Sequence, residues 1–93
     1  MIRSFRDKRT EAVDAGTIRK GFPAELVRRA QQLLTLIDAA RSLDDLRSPP
    51  GNRLEKLSGN REGQHSVRIN AQWRICFIWK DGDAEEVEIV DYH

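Results

Sequence analysis

Polar and apolar positions alternate most regularly over the last third of the chain. In Gln64-His65-Ser66-Val67-Arg68-Ile69-Asn70, the residues His65, Val67 and Ile69 share one face and Ser66 and Arg68 the other. That two-residue period predicts a half-buried strand. Trp73 to Trp79 repeats it more strongly, with Trp73, Ile75, Phe77 and Trp79 on one face and Arg74 on the opposite one. A hairpin through Asn70-Ala71-Gln72 must align the two apolar faces, because a one-residue slip would turn a whole set out to water. This register sets Arg68 directly opposite Arg74. Like charges across a strand pair are unfavourable by some tenths of a kcal/mol, roughly. An anion between the two arginines relieves that cost, and the planar guanidinium fork matches phosphate oxygens; two long side chains diverging into solvent satisfies the spacing equally well.

A third strand is predicted from Glu85 to His93 after the turn Asp81-Gly82-Asp83. Aligning Val87 and Ile89 with Phe77 and Ile75 puts Glu86, Glu88, Val90 and Tyr92 on the face of Arg74. Tyr92 then ends near the two arginines, whereas Asp91 and His93 alternate to the other side in a straight strand.

Upstream, Ile2 to Phe5 reads as a short edge strand and Asp7 to Ala15 as two helical turns closed by Gly16, a residue that takes the left-handed conformation cheaply. Gly16 to Gly21 is a basic connector. Pro23 suits the first turn of a helix, with Glu25 near the positive end of its dipole. From Ala24 to about Arg41, Leu26, Ala30, Leu33, Leu34, Ile37 and Ala40 form one apolar stripe at helical spacing, so this helix packs on the sheet. Arg28 and Arg29 fall on its outer side and read as solvated charges. Ser42-Leu43-Asp44-Asp45 carries a capping signal for one more turn. Pro49-Pro50-Gly51 stops regular structure. Asn52 to Leu57 is then expected to be a strand with Leu54 inward, followed by a polar, glycine-bounded loop from Leu57 to Gly63.

These elements predict one α/β domain of the α+β kind over residues 1–93, with two N-terminal helices packed on an antiparallel sheet. That length sustains one core without disulfides. Cys76 is the single cysteine and lies inside the most hydrophobic strand, which makes it a packing residue. The opening Met1-Ile2-Arg3-Ser4-Phe5-Arg6 has no apolar leader core and no window approaches the roughly 18 apolar residues of a membrane span, so a cytoplasmic protein is expected.

A formal net charge of +1 conceals a sorted distribution. Residues 46–80 carry seven Lys/Arg and two Asp/Glu, a balance of +5, while residues 81–93 carry none and six, a balance of −6. Neighbouring strands that neutralise one another explain this. So does a local phosphate site in a chain whose near-neutral total discourages indiscriminate nucleic-acid binding.

Catalytic motifs are scarce. There is no GxSxG, P-loop or GxGxxG, and the two histidines, His65 and His93, have no cysteine cluster to complete a zinc site. The chemistry best supported is metal-independent cleavage of an RNA strand by its own 2′-hydroxyl. It needs a base, an acid for the departing 5′-oxygen, and cations for the charge gathered at phosphorus. His93, Asp91 and Tyr92 supply candidates for the first two roles, and Arg68 and Arg74 for the third. His93 titrates nearest neutrality; its own terminal carboxylate and Asp91 favour the imidazolium. His65 alternates onto the apolar face and reads as a satisfied, partly buried histidine.

The run Asn52-Arg53-Leu54-Glu55-Lys56-Leu57-Ser58-Gly59-Asn60-Arg61-Glu62-Gly63, then Ser66-Val67-Arg68-Ile69-Asn70, Gln72-Trp73-Arg74-Ile75-Cys76-Phe77 and Asp91-Tyr92-His93, resembles the HigB branch of the RelE/ParE toxin superfamily. The opening Met1-Ile2-Arg3-Ser4-Phe5 is similar as well, so the resemblance spans essentially the whole chain. It implies a RelE-like fold and a ribosome-dependent endoribonuclease that cuts messenger RNA in the decoding site without a cofactor. It also implies a cognate helix-turn-helix antitoxin of the HigA type, through which alone the toxin meets operator DNA; the other partners are the 70S ribosome and messenger RNA. Carried over by position, Asp91, Tyr92 and His93 match the family's catalytic end and Arg74 its sheet arginine; Arg53, Lys56, Arg61 and Arg68 are the RNA-binding candidates. One departure stands out. Some members have a catalytic histidine before the glycine-bounded loop and a lysine shortly after it, where this chain has Glu55 and Ser58. Lys56 is close by but alternates to the opposite face, and Glu55 is the candidate replacement base. Two other functions fit parts of the sequence: a ParE-like DNA gyrase poison, disfavoured by the Asp-Tyr-His end, and a non-catalytic ribosome- or RNA-binding module.

Overall fold

The computed structural model describes residues 1–17 and 22–92. Two helices, α1 (Lys8–Ala15) and α2 (Ala24–Ala39), precede four strands: β1 (Glu55–Lys56), β2 (Gln64–Arg68), β3 (Trp73–Lys80) and β4 (Asp83–Asp91). The strands form one antiparallel sheet in the order β1-β2-β3-β4. Local signals set both ends of α1. The Asp7 carboxylate accepts from the Thr10 amide at 2.7 Å, and Gly16 closes the helix at φ 81°, as its position predicted. Helix α2 starts after Pro23, which stands at the N-cap rather than in the first turn, and stops at Ala39 because Ala40 is extended at ψ 139°.

The predicted stripe of α2 is buried throughout, joined by Val27, and it meets Val67, Ile69, Ile75, Phe77, Val87 and Ile89 from the sheet. The β2–β3 register is the expected one: Val67 faces Ile75, His65 faces Phe77 and Arg68 faces Arg74. Asp81 and Gly82 both take positive φ (52° and 81°), the backbone of a tight two-residue hairpin turn that Asp-Gly favours. Across β3 and β4, Ile75 pairs with Ile89 as predicted, but the register slips between Cys76 and Ile78. Glu86 absorbs the extra residue at φ 53°, so Phe77 has no direct partner in β4.

Three further expectations need correction. Ile2 to Phe5 does not form a continuous strand; it touches β4 through two isolated parallel bridges, Ile2 with Ala84 and Phe5 with Val87. The Glu86 bulge breaks the ladder between them, and the Ser4 hydroxyl accepts the Glu86 amide instead, at 2.9 Å. The predicted strand from Asn52 to Leu57 shrinks to Glu55–Lys56. A 3-10 turn over Pro50–Asn52 and a left-handed Arg53 at φ 45° occupy its first half. Asn52 is fully buried there, its amide donating to the carbonyls of Leu46 and Ser48, both at 3.3 Å, while its oxygen accepts from Arg29 at 3.1 Å. His65 stacks on Phe77 at 6.3 Å, but its Nδ1 is sealed with no hydrogen-bond partner among the described residues, so it is not a satisfied histidine. The capping signal at Ser42 holds, with Ser42 and Asp45 in a reciprocal box at the head of the 3-10 turn Leu43–Arg47. Most of the Gly16–Gly21 connector lies outside the described residues.

Candidate active site

With α1 and α2 on one face of the sheet, β2, β3 and the end of β4 present Ser66, Arg68, Arg74, Cys76, Glu88 and Tyr92 on the other. Alternation along each strand places them there, as read from the sequence. What tertiary packing adds is the path of Arg74. Its Cα pairs with Arg68, yet the guanidinium runs diagonally across β2: Nε donates to the Ser66 hydroxyl at 2.7 Å and Nη2 to the Arg53 carbonyl at 2.6 Å. Nη2 also lies 2.9 Å from the Glu55 carboxylate. Only 8% of Arg74 is exposed. The cross-strand repulsion with Arg68 is therefore relieved by a carboxylate from β1.

Glu55 reaches this position because β1 pairs with β2 so that Glu55 faces Ser66. The left-handed turn at Arg53 is what aims that residue's carbonyl at the guanidinium. Neither partner is visible from spacing along the chain, because one arises from a non-local register and the other from a single unusual backbone angle.

Tyr92 follows β4 and is held by its amide, which donates to the Gln72 carbonyl at 2.7 Å. Its ring lies beside Arg74, with the guanidinium carbon 5.9 Å from the ring centre. The Cys76 thiol, fully buried, points at the Tyr92 hydroxyl at 3.9 Å. Burial, then the neighbouring thiol, push the phenol above its ordinary value, while Arg61 and Arg74 pull the other way. Burial likewise raises Cys76. Both groups therefore keep their protons at neutral pH.

Arg61 donates to the carboxylate of Glu88 at 3.2 Å and to Gln64 at 3.1 Å, bracing the glycine-bounded loop on the sheet. Together with Lys56, Leu57, Ser58, Asn60 and Tyr92 it walls a concavity of about 390 Å³. Lys56 thus borders the same hollow as Tyr92, although it alternates away from Glu55. The side chains of Arg53, Lys56 and Arg68 make no ion pair among the described residues. Asp91 pairs with Trp73 across β3 and β4, on the side away from Arg74, and its carboxylate accepts from Gln72 at 3.1 Å. His93 lies outside the described residues.

Sequence reasoning missed Ser66, Asn60 and the Arg53 carbonyl. Ser66 carried a signal, since it lies between His65 and Val67 on the face of Arg68, where a small hydroxyl beside arginines suggests a ligand. Among the described residues no group of three or more His, Cys, Asp or Glu is placed to hold a metal, and no helix is long and apolar enough to cross a membrane.

Known proteins share this architecture and are similar in sequence. A chain of the YoeB-YefM complex from Staphylococcus aureus superposes with a TM-score of 0.63 over 100% of this chain and 98% of its own, at 20% identity, a likeness of fold. Toxin HigB-1 of Vibrio cholerae serotype O1 is 40% identical over 85 residues, 90% of each chain. Endoribonuclease HigB of Proteus vulgaris is 36% identical over 93 residues, the whole of both chains. The family model for the RelE-like toxin HigB of type II toxin-antitoxin systems matches residues 3–93. With the helix-backed sheet, the inward arginine and the Asp-Tyr-His run all inside that match, this chain belongs to the HigB family of RelE-like toxins of type II toxin-antitoxin systems.

Proposed function

We propose that this chain is a ribosome-dependent endoribonuclease that cuts translated messenger RNA on the face of the sheet bearing Arg74 and Tyr92. The observation that carries this is Arg74 itself: a nearly buried guanidinium, fixed by Ser66 and the Arg53 carbonyl, with a protonated phenol beside it. The name of the Proteus vulgaris relative, an endoribonuclease over its full length, supports the reaction class.

In this reaction the 2′-hydroxyl loses its proton and attacks the adjacent phosphorus, and the 5′-oxygen leaves with a proton. Arg74 offers preorganised donors to the phosphoryl oxygens as charge builds on them. Arg53, Arg68 and Lys56 track the flanking phosphates, and Arg61 holds the loop that floors the hollow. Tyr92 donates a proton toward the leaving oxygen. His93, whose ordinary range brackets neutrality, shuttles protons, and Asp91 orients the end of β4 through Gln72. Glu55 is either the base in place of the family's histidine or a partner of Arg74. The cognate partner is a helix-turn-helix antitoxin of the HigA type, and the platform is the 70S ribosome.

Primer extension on a defined messenger RNA tests this, with purified chain, 70S ribosomes, a ribosome-free control and the variants His93→Ala and Arg74→Gln. New 5′ ends are expected with ribosomes and wild-type protein only. Growth arrest without new ends in any lane would instead point to gyrase or to passive ribosome binding.

A further inference from the structure

We infer that Glu55 is a displaceable internal anion that occupies the phosphate-binding fork of Arg74 in the free protein, and that a phosphate of the RNA chain takes its place. The inference rests on the site assignment proposed above and goes beyond it, since it makes Glu55 a positioning residue and not the base.

The two partners differ in their environments. The Arg74 side chain is 10% exposed, whereas Glu55 is 60% exposed. A buried guanidinium without an anion is costly, and here the anion comes from the solvent side. The Glu55 carboxylate makes no other hydrogen bond or ion pair among the described residues, and β1 is only two residues long. The carboxylate is thus held in place by Arg74 alone and can swing into water. A phosphodiester carries the same single charge and offers acceptor oxygens of the same kind to the fork, so exchange leaves Arg74 paired at every stage. Ser66 and the Arg53 carbonyl keep the guanidinium in position meanwhile.

The cations assigned to the RNA site are sorted in the same sense. Arg61 and Arg74, the two fixed to the sheet, each carry a carboxylate, from Glu88 and Glu55. Arg53, Lys56 and Arg68 carry none among the described residues. Free RNA therefore meets weak peripheral attraction while the central donor is occupied. A strand already held in place loses nothing further on exchange, and this links the ion pair to the need for a platform that presents the message.

The test measures binding of a short, uncleavable single-stranded 2′-O-methyl RNA to the purified full chain by fluorescence anisotropy at low salt. Glu55→Gln removes the charge and keeps the shape, and should tighten binding about three- to tenfold. Paired with Arg74→Lys, which retains charge and bulk but not the fork, the gain from Glu55→Gln should largely vanish. Equal tightening in both backgrounds would reduce the effect to long-range charge and overturn the inference, as would no tightening at all. On ribosomes, Glu55→Gln should lower KM; a fall in kcat of at least about tenfold at constant KM would make Glu55 the base and overturn it too. Failure of the site assignment itself reads differently: Arg74→Lys and Tyr92→Phe would then cleave like wild type, whatever Glu55 does to binding.

Discussion

Arg74 of β3 donates through Nε to the buried hydroxyl of Ser66 on β2 at 2.7 Å. Ser66 is fully buried and stands opposite Cys76, so the bond reaches two residue pairs along the ladder from Arg74. It turns a side chain that would otherwise extend past Arg68 into a fixed donor at the centre of the open face. Ser66→Ala should cost about 1–3 kcal/mol of stability, because a donor on a charged, buried group loses its acceptor. It should also lower kcat/KM on ribosomes about tenfold or more by loosening the fork. Urea unfolding and ribosome-dependent cleavage, run side by side, check the two effects; a Ser66→Ala protein with full activity would mean that the hydroxyl does not position Arg74 for the reaction.

Tyr92 is 43% exposed, so removing its hydroxyl should leave the fold intact. Tyr92→Phe keeps the ring beside Arg74 and deletes the proton. If the phenol donates to the leaving oxygen, cleavage should fall by about 10²-fold or more with no change in the unfolding midpoint. Loss of stability alongside activity would instead assign the hydroxyl a structural part through Cys76.

The Thr10 hydroxyl accepts the Ile89 amide at 2.9 Å with Thr10 fully buried. This one bond satisfies a β4 amide that the N-terminal segment does not reach, and it pins α1 to the sheet edge. Thr10→Val, matched in shape, should destabilise by about 1–3 kcal/mol by orphaning that amide. Thr10→Ser should recover most of it. Hydrogen exchange at Ile89 supplies the local readout, with protection expected to drop in the valine variant alone.

His65 lies on the core side of β2, where burial first, and then Lys56 and Arg47, lower its pKa below the ordinary 6.5. The unfolded chain therefore binds this proton more readily than the folded one. The associated stability is complete above about pH 6.5 and is lost as the pH falls through the depressed folded value. Thermal melts from about pH 7.5 to about pH 5 should show a declining midpoint in wild type and a smaller decline in His65→Gln; identical slopes would exclude His65 as the source.

Much of this molecule is determined by local pattern. The stripe of α2 and the alternation in β2 and β3 fixed which faces meet, and one buried face leaves a single register available, which is why the Arg68–Arg74 and Ile75–Ile89 pairings were readable in advance. The ends of α1 follow from Asp7 and Gly16, because capping involves only neighbours. The site was readable to the extent that it lies on regular strands: Arg74 and Tyr92 share a face by parity alone.

Tertiary structure decided everything that depends on irregular backbone or on residues far apart in sequence. A left-handed Arg53 and a 3-10 turn replaced half of a predicted strand, since burying Asn52 against Leu46, Ser48 and Arg29 satisfies polar groups that a strand there would not. The Glu86 bulge interrupted the N-terminal edge. Above all, the partners of Arg74 come from β1, from β2 and from the Arg53 carbonyl, three places that hydrophobic periodicity does not connect. Periodicity reports which side of an element faces the core; it carries no information on where a long, charged side chain finds its acceptors, and that is settled only when the strands are assembled.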